Sequence, residues 1–157
     1  MRIGQGIDVH RFSEDPGRPL WLGLVHVPNS PGLVGHSDAD APTHALCDAL
    51  LGAANQGDLG RHFPDNDPAY HNVSSKRLLE ATMTIIQSER FRVASADVTI
   101  VAERPKLALY MPAMSHELSS IVGALVSVKA TTSEGLGALG RVEGLAAFAV
   151  VLLEEHA

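Results

Sequence analysis

The chain has 157 residues, 45% hydrophobic and 19% charged, with a formal net charge of -6 and one cysteine. That length predicts a single domain, residues 1–157, large enough to bury a core, with the composition of an ordinary globular protein. The acidic balance argues against a nonspecific nucleic-acid partner or an acidic membrane surface, and a lone cysteine excludes an intramolecular disulfide and a cysteine-rich structural zinc site.

Met1 to Phe12 reads as a strand holding Gly4 and Gly6, which mark a bulge or a close backbone approach. Asp8 and His10 are two residues apart, so extended backbone points both the same way. After a turn at Glu14 to Gly17, Leu20 to Val27 is predicted as a second strand, broken by Pro28 to Gly32. Ala41 to Asn55 has helical spacing, with Leu46, Ala49, Leu50 and Ala53 on one stripe, Asp40 as N-cap and Pro42 in the first turn. Cys47, inside this run, is expected to be a buried free thiol, since no neighbour would lower its pKa.

Gln56 to Val73 is polar and contains FPDNDP, a length that predicts a functional segment rather than a connector. Ser74 or Ser75 should cap a second helix running to about Arg90. Val93 to Glu103 is a predicted strand, ended by Arg104, Pro105 and Lys106. Ala108 to Val122 is a helix candidate and Val126 to Thr132 a short strand. Ser133 to Gly144 is glycine-rich, and Leu145 to Glu154 is apolar, with helix and strand both open on pattern alone. The alternation predicts an α/β (α+β) class with a mixed sheet covered by helices. No apolar run approaches a membrane span. With no intramolecular disulfide possible, a reducing, cytoplasmic setting is expected, and Met1 leads into mixed polar sequence without the apolar stretch of a signal peptide.

The stretch from Gly35 to Gly60 carries the densest chemistry. His36, Ser37, Asp38 and Asp40 crowd ahead of an apolar helix with His44 in its first turn and Asp48 one turn later. Asp8, His10 and His44 would supply one oxygen and two nitrogens, leaving the open position of a catalytic zinc site. A second reading stands beside it on spacing alone: a turn carboxylate, and surface or satisfied core histidines, in a chain that has eight histidines. Thr131, Thr132, Ser133 and Glu134 offer hydroxyls and N–H groups to phosphate oxygens and a carboxylate to a hard cation, or form a simple turn cluster. The Walker spacing is missing, Gly4-Gln5-Gly6 lacks the third glycine of a dinucleotide fingerprint, and there is no G-x-S-x-G elbow.

Taken together, IDVHRF (7–12), GHSDADAPTHALCDALLGA (35–53), GDLGRHFPDNDP (57–68), RPK (104–106), KATTSEGLG and GRVEG, in this order, resemble the 2-C-methyl-D-erythritol 2,4-cyclodiphosphate synthases of the non-mevalonate isoprenoid pathway. The resemblance spans essentially the whole chain. It implies a homotrimer of α/β subunits with helices outside, sheets facing the threefold axis, and active sites between subunits. It implies Asp8, His10 and His44 as ligands of Zn²⁺, with Val9 between them at the substrate. His36 and Ser37 match substrate contacts, His36 placed to stabilise the transition state. Asp58, Leu59 and Gly60 match positions that hold the erythritol part, and Phe63, Pro64, Asp65, Asn66 and Asp67 belong to a loop over it. Ala102, Glu103, Arg104, Pro105, Lys106, Leu107 and Ala108 match the pocket for cytidine and its phosphates in the adjoining subunit. Thr131, Thr132 and Ser133 match phosphate contacts, Thr132 with a catalytic role, and Glu134 a ligand of Mg²⁺ or Mn²⁺. Ala138 and Arg141 match positions near the substrate wall and the central cavity. Ile7, Ala39, Ala138 and Val142 depart from the family pattern, which has glycine at 39 and 142.

The implied reaction is metal-dependent and intramolecular. The 2-phosphate of 4-diphosphocytidyl-2-C-methyl-D-erythritol 2-phosphate attacks the β-phosphorus, and CMP leaves. Two rivals stand: a zinc-dependent phosphohydrolase, in which water attacks, and a non-catalytic ligand-binding trimer.

Overall fold

The computed structural model describes residues 1–64 and 66–155. Among these, the elements run β1 (Arg2–Arg11), β2 (Leu20–Leu22), β3 (Val25–Val27), α1 (Ala41–Ala53), α2 (Leu59–His62), a 3-10 turn (Pro68–Tyr70), α3 (Ser75–Ser88), β4 (Phe91–Val101), α4 (Met111–Val122), β5 (Val126–Thr131), α5 (Gly137–Gly140) and β6 (Gly144–Glu155). Four strands form one mixed sheet in the order β1-β6-β4-β5, with only the β4–β5 pair parallel. The fold is therefore the expected α/β type, with α1 on β1 and β6, and α3 and α4 beside it. No described helix is long and apolar enough to cross a membrane.

The position of α1 is set by two missing side chains. A Cβ on Gly4 would lie 1.9 Å from the Ala49 carbonyl oxygen, and one on Gly6 would lie 2.0 Å from that of Ala45. Helix backbone thus rests directly on strand backbone, the close approach that strand glycines permit. Strand alternation then puts Asp8 and His10 on this same face, beyond the glycines and level with the first turn of α1.

The interval Leu20 to Val27 is two strands rather than one. Gly23 and Leu24 form a tight turn between β2 and β3, both at positive φ, 56° and 67°, as a two-residue hairpin of the primed type requires. Leucine gives no sequence sign of that conformation. Asp40 holds the turn: its carboxylate accepts from the N–H groups of Gly23 (2.8 Å) and Leu24 (2.7 Å), and from Thr43 N–H (3.1 Å) and Oγ1 (2.8 Å). It caps α1, as expected, and also ties the hairpin to it. Burial pushes its pKa up, against these bonds. Asp40→Ala would strand buried donors and remove the cap, so a loss of about 3 kcal/mol is expected in denaturant unfolding.

Other boundaries move slightly. The strand expected from Val93 begins at Phe91 and ends at Val101, the helix expected from Ala108 begins at Met111, and Ser74 is the cap of α3. The undecided apolar run is strand β6. Cys47 is a fully buried free thiol whose pKa burial raises to about 12, so it is inert in the folded chain.

The helix-free face of the sheet exposes an apolar band. Ile3 (75% exposed), Val9 (60%), Ile7 (49%) and Val150 (47%) lie on it with Phe148, which pairs with Ile7 across β1 and β6. Ala39 and Val142, at the two positions where the family pattern has glycine, have φ of 54° and 60°. The backbone keeps the left-handed turn there at a cost of about 1–2 kcal/mol per residue.

Candidate active site

The groups at the centre of the site are delivered by two elements and the loop between them. Asp8 and His10 come from β1 by strand period, and His44 from the first turn of α1, whose cap is Asp40. The loop between carries His36 and Ser37. It is pinned by Arg18, which donates to the carbonyls of Leu33, Gly35 (3.0 Å) and Ser37 (2.7 Å). Arg18 has no motif around it, and nothing in the sequence assigned it this role.

His10 Nε2 lies 2.8 Å and His44 Nδ1 3.1 Å from Asp8 Oδ2. One ligand atom from each of the three residues lies within 4.8 Å of the others, the only such group among the described residues. The outward nitrogens are occupied. His10 Nδ1 donates to the Val34 carbonyl at 2.7 Å, and His44 Nε2 meets Ser75 Oγ at 2.9 Å and Ser37 Oγ at 3.3 Å. The remaining nitrogens both face the Asp8 carboxylate, so the N₂O donor set fits a zinc-type ion. The electrostatics agree. Burial disfavours a charged Asp8, but hydrogen bonds from His10 and His44 outweigh it and hold the carboxyl well below its usual range. Burial likewise favours a neutral His10, yet the Asp8 carboxylate raises its pKa.

A cavity of about 360 Å³ opens over these donors. Of the expected residues it brings together Asp8, His10, His36, Ser37, His44, Asp58, Leu59, Gly60 and Phe63. It adds Asp48 and Tyr70, which sequence reasoning had not placed in the site. Asp48 Oδ1 accepts from Leu59 N–H at 2.8 Å, so one turn of α1 fixes where α2 starts; burial raises its pKa. Its spacing of four from His44 was the available signal. Phe63 and Tyr70 meet edge to face at 5.3 Å between centroids, closing one wall. Pro64, Asn66 and Asp67 lie outside the lining, and Asp67 instead caps the 3-10 turn. Asp65 lies outside the described residues. The side chain of Val9 is on the opposite sheet face; its N–H donates to Asp8 Oδ1 at 3.1 Å.

A second, smaller cavity of about 200 Å³ is lined by Ala102, Pro105, Lys106, Leu107, Ala108, Thr131 and Thr132, with Met111 and Ala130. Glu103 serves the backbone instead. It accepts from the N–H of Gly135 (3.2 Å) and of Ser133 (2.9 Å), and from Ser133 Oγ (3.0 Å), bonds that lower its pKa. Arg104 and Glu134 are outside this lining; Glu134 carries its carboxylate 3.4 Å from Thr132 Oγ1. Ala138 sits in α5, and Arg141 just after it pairs with Glu143 at 2.8 Å; neither lines either cavity. The two cavities lie at opposite edges of the sheet but at the same end. His10 pairs with Leu145, Ala146 with Val101, and Val101 with Thr131. Three strand spacings, about 14 Å, separate β1 from β5. A larger groove of about 810 Å³ between α3, β4 and α4 has no carboxylate or imidazole in its lining.

A model of the YgbB family matches residues 1–154. A 2-C-methyl-D-erythritol 2,4-cyclodiphosphate synthase of Syntrophobacter fumaroxidans is 53% identical over 156 residues, covering 98% of this chain and 97% of its own. Among solved structures, the bifunctional IspDF from Campylobacter jejuni aligns with a TM-score of 0.92 at 38% identity, over 98% of this chain and 42% of that longer one. A CDP-bound 2C-methyl-D-erythritol-2,4-cyclodiphosphate synthase aligns with a TM-score of 0.88 at 37% identity, over 98% of this chain and 100% of that one.

Proposed function

The chain belongs to the YgbB family, and from that premise we infer that it forms 2-C-methyl-D-erythritol 2,4-cyclodiphosphate in isoprenoid precursor synthesis. It acts as a phosphorus–oxygen lyase on 4-diphosphocytidyl-2-C-methyl-D-erythritol 2-phosphate and releases CMP. The observation that carries this reading is the convergence of Asp8, His10 and His44 in a cavity also lined by His36, Ser37 and Asp58.

Zn²⁺ held by Asp8, His10 and His44 would supply Lewis-acid polarisation of a phosphoryl oxygen. The chain's own residues supply position and charge. The 2-phosphate oxygen is already an anion, so no strong base is needed; it bonds to the β-phosphorus as the bond to the bridging oxygen breaks, and CMP takes that electron pair. Asp58 accepts from hydroxyls of the erythritol part and fixes its fold. His36 and Thr132 donate hydrogen bonds where charge grows. Lys106, with the Thr131 and Thr132 hydroxyls, binds the phosphates beside the cytidine in the second cavity. Phe63 and Tyr70 exclude water, which favours cyclisation over hydrolysis. Glu134 offers one exposed carboxylate that would hold Mg²⁺ or Mn²⁺, a hard cation that would offset charge on the phosphates. Glu134→Gln is expected to leave zinc content intact and raise the Mg²⁺ needed for half-maximal rate about tenfold, as a metal titration of the rate would read.

A homotrimer completes the site. One chain presents its two cavities at opposite sheet edges, so a substrate touching both draws on two copies. A closed ring of three meets that need and covers the apolar sheet face at its axis. Lone, unpaired Cys47 accords with a cytoplasmic location. The test is incubation with the diphosphocytidyl substrate. CMP release with a cyclic product of no added water supports the reading; a product heavier by one water points to the phosphohydrolase, and no CMP to a binding protein.

A further inference from the structure

We propose that Asp38 and Ser75 form a positioning pair that sets which nitrogen of His44 faces the metal. The inference rests on the metal reading above and concerns two residues that line neither the donor triad nor its cavity. Ser75 is the first residue of α3 and is fully buried. Its N–H donates to Asp38 Oδ2 at 2.8 Å, and its hydroxyl donates to Asp38 Oδ1. The carboxylate is acceptor-only, so the Ser75 hydroxyl has one proton to give and gives it to Asp38. Its oxygen is then left as an acceptor for His44 Nε2 at 2.9 Å. The order of donors is thereby fixed: His44 Nε2–H to Ser75 Oγ, Ser75 Oγ–H to Asp38. With its proton on Nε2, His44 would offer the Nδ1 lone pair to the ion, in place of the hydrogen bond that Nδ1 makes to Asp8 Oδ2 at 3.1 Å. Ser37 Oγ, at 3.3 Å from the same Nε2, is the longer contact and adds to this hold without setting its direction.

The pair joins two distant parts of the chain. Asp38 lies in the loop before α1, and Ser75 follows the Gln56–Val73 segment that supplies the cavity wall. Outer partners of this kind hold ring orientation and tautomer, and their loss typically lowers metal affinity about 10–100-fold.

Asp38→Asn makes the polarity testable at nearly constant shape. The amide oxygen stays opposite Ser75 N–H, at 2.8 Å the shorter of the two backbone contacts, rather than opposite Asp40 N–H, which reaches Asp38 Oδ1 at 3.3 Å, so its NH₂ faces Ser75 Oγ. The hydroxyl then turns its proton toward His44 Nε2 and drives the ring proton to Nδ1, where the ion belongs. The experiment compares wild type, Ser75→Ala, Ser75→Thr and Asp38→Asn. It reads Zn²⁺ affinity by chelator competition, melting temperature of the metal-free protein, and the His44 Nε2–H resonance of the zinc-loaded protein in ¹H–¹⁵N spectra. The expected result is zinc binding weakened about 10–100-fold in Ser75→Ala and Asp38→Asn, with Ser75→Thr much closer to wild type. The protected Nε2–H signal should be lost in Ser75→Ala. Affinities of Ser75→Ala and Asp38→Asn within about threefold of wild type would overturn the inference while leaving the metal reading standing. Equal losses in Ser75→Ala and Ser75→Thr, with wild-type affinity in Asp38→Asn, would reduce Ser75 to a packing role and also overturn it. A wild-type chain that binds no zinc removes the metal reading and this inference together.

Discussion

His44→Ala should abolish zinc binding and CMP release together. Two of the proposed ligands remain in that variant, Asp8 and His10, both on β1. They lack the opposing nitrogen that α1 supplies, and a two-ligand site does not retain zinc against water and buffer. Loss of Lewis-acid and charge stabilisation is worth several kcal/mol, so turnover should fall about 10³-fold or more. Alanine at this helical position is compatible with α1, so folding should persist, and melting of the metal-free protein is the control. His26→Ala is the matched negative, since His26 packs on Trp21 in the β2–β3 hairpin, away from the donors. Stoichiometric zinc in a His44→Ala protein with turnover within tenfold of wild type would remove His44 from the site.

Gly6→Ala should damage stability and catalysis at once. The added methyl meets the Ala45 carbonyl oxygen at 2.0 Å and the Ala49 nitrogen at 2.8 Å, both backbone atoms of α1. No rotamer relieves such a contact, so the helix must lift from β1. Overpacking of this severity costs about 3 kcal/mol, a fall in melting temperature of roughly 10 °C. His44 rides on the same helix one residue before Ala45, and its Nδ1 has to stay within reach of Asp8 and His10 on β1. A shift near 1 Å in such a group costs on the order of 10²-fold in rate. The signature is a joint loss: lower melting temperature, weaker zinc binding and lower kcat. A variant that melts and binds zinc like wild type would show that α1 does not depend on this contact.

What the sequence made legible follows its periodicities. Asp8 and His10 were placed on one face by strand alternation, and Asp40 as a cap by its place before Ala41 and Pro42. The β2–β3 turn was hidden because Leu24 holds the positive φ that the primed hairpin requires, steadied by its backbone bond to Asp40, and leucine does not signal it. β6 could not be told from a helix, since it is apolar on both sides. Its inner residues, Ala147, Ala149 and Val151, meet the helices, and its outer ones, Phe148 and Val150, lie on the open apolar face. The site was legible as far as residue types and motif order reach. The contacts that aim those residues were not. Arg18 holds a loop 15 to 19 positions away, and Ser75 bonds Asp38 across 37, and neither separation leaves a local pattern to read.

The opposite-edge placement of the two cavities has a genetic consequence. In the proposed ring each copy lends its triad to one neighbour's nucleotide pocket and its own pocket to the other neighbour. A copy damaged in only one of these places therefore spoils only one junction, and damage in Lys106 and damage in His44 strike different junctions of the same ring. Alleles of the two kinds would then partly complement when co-expressed, whereas two alleles of one kind would not.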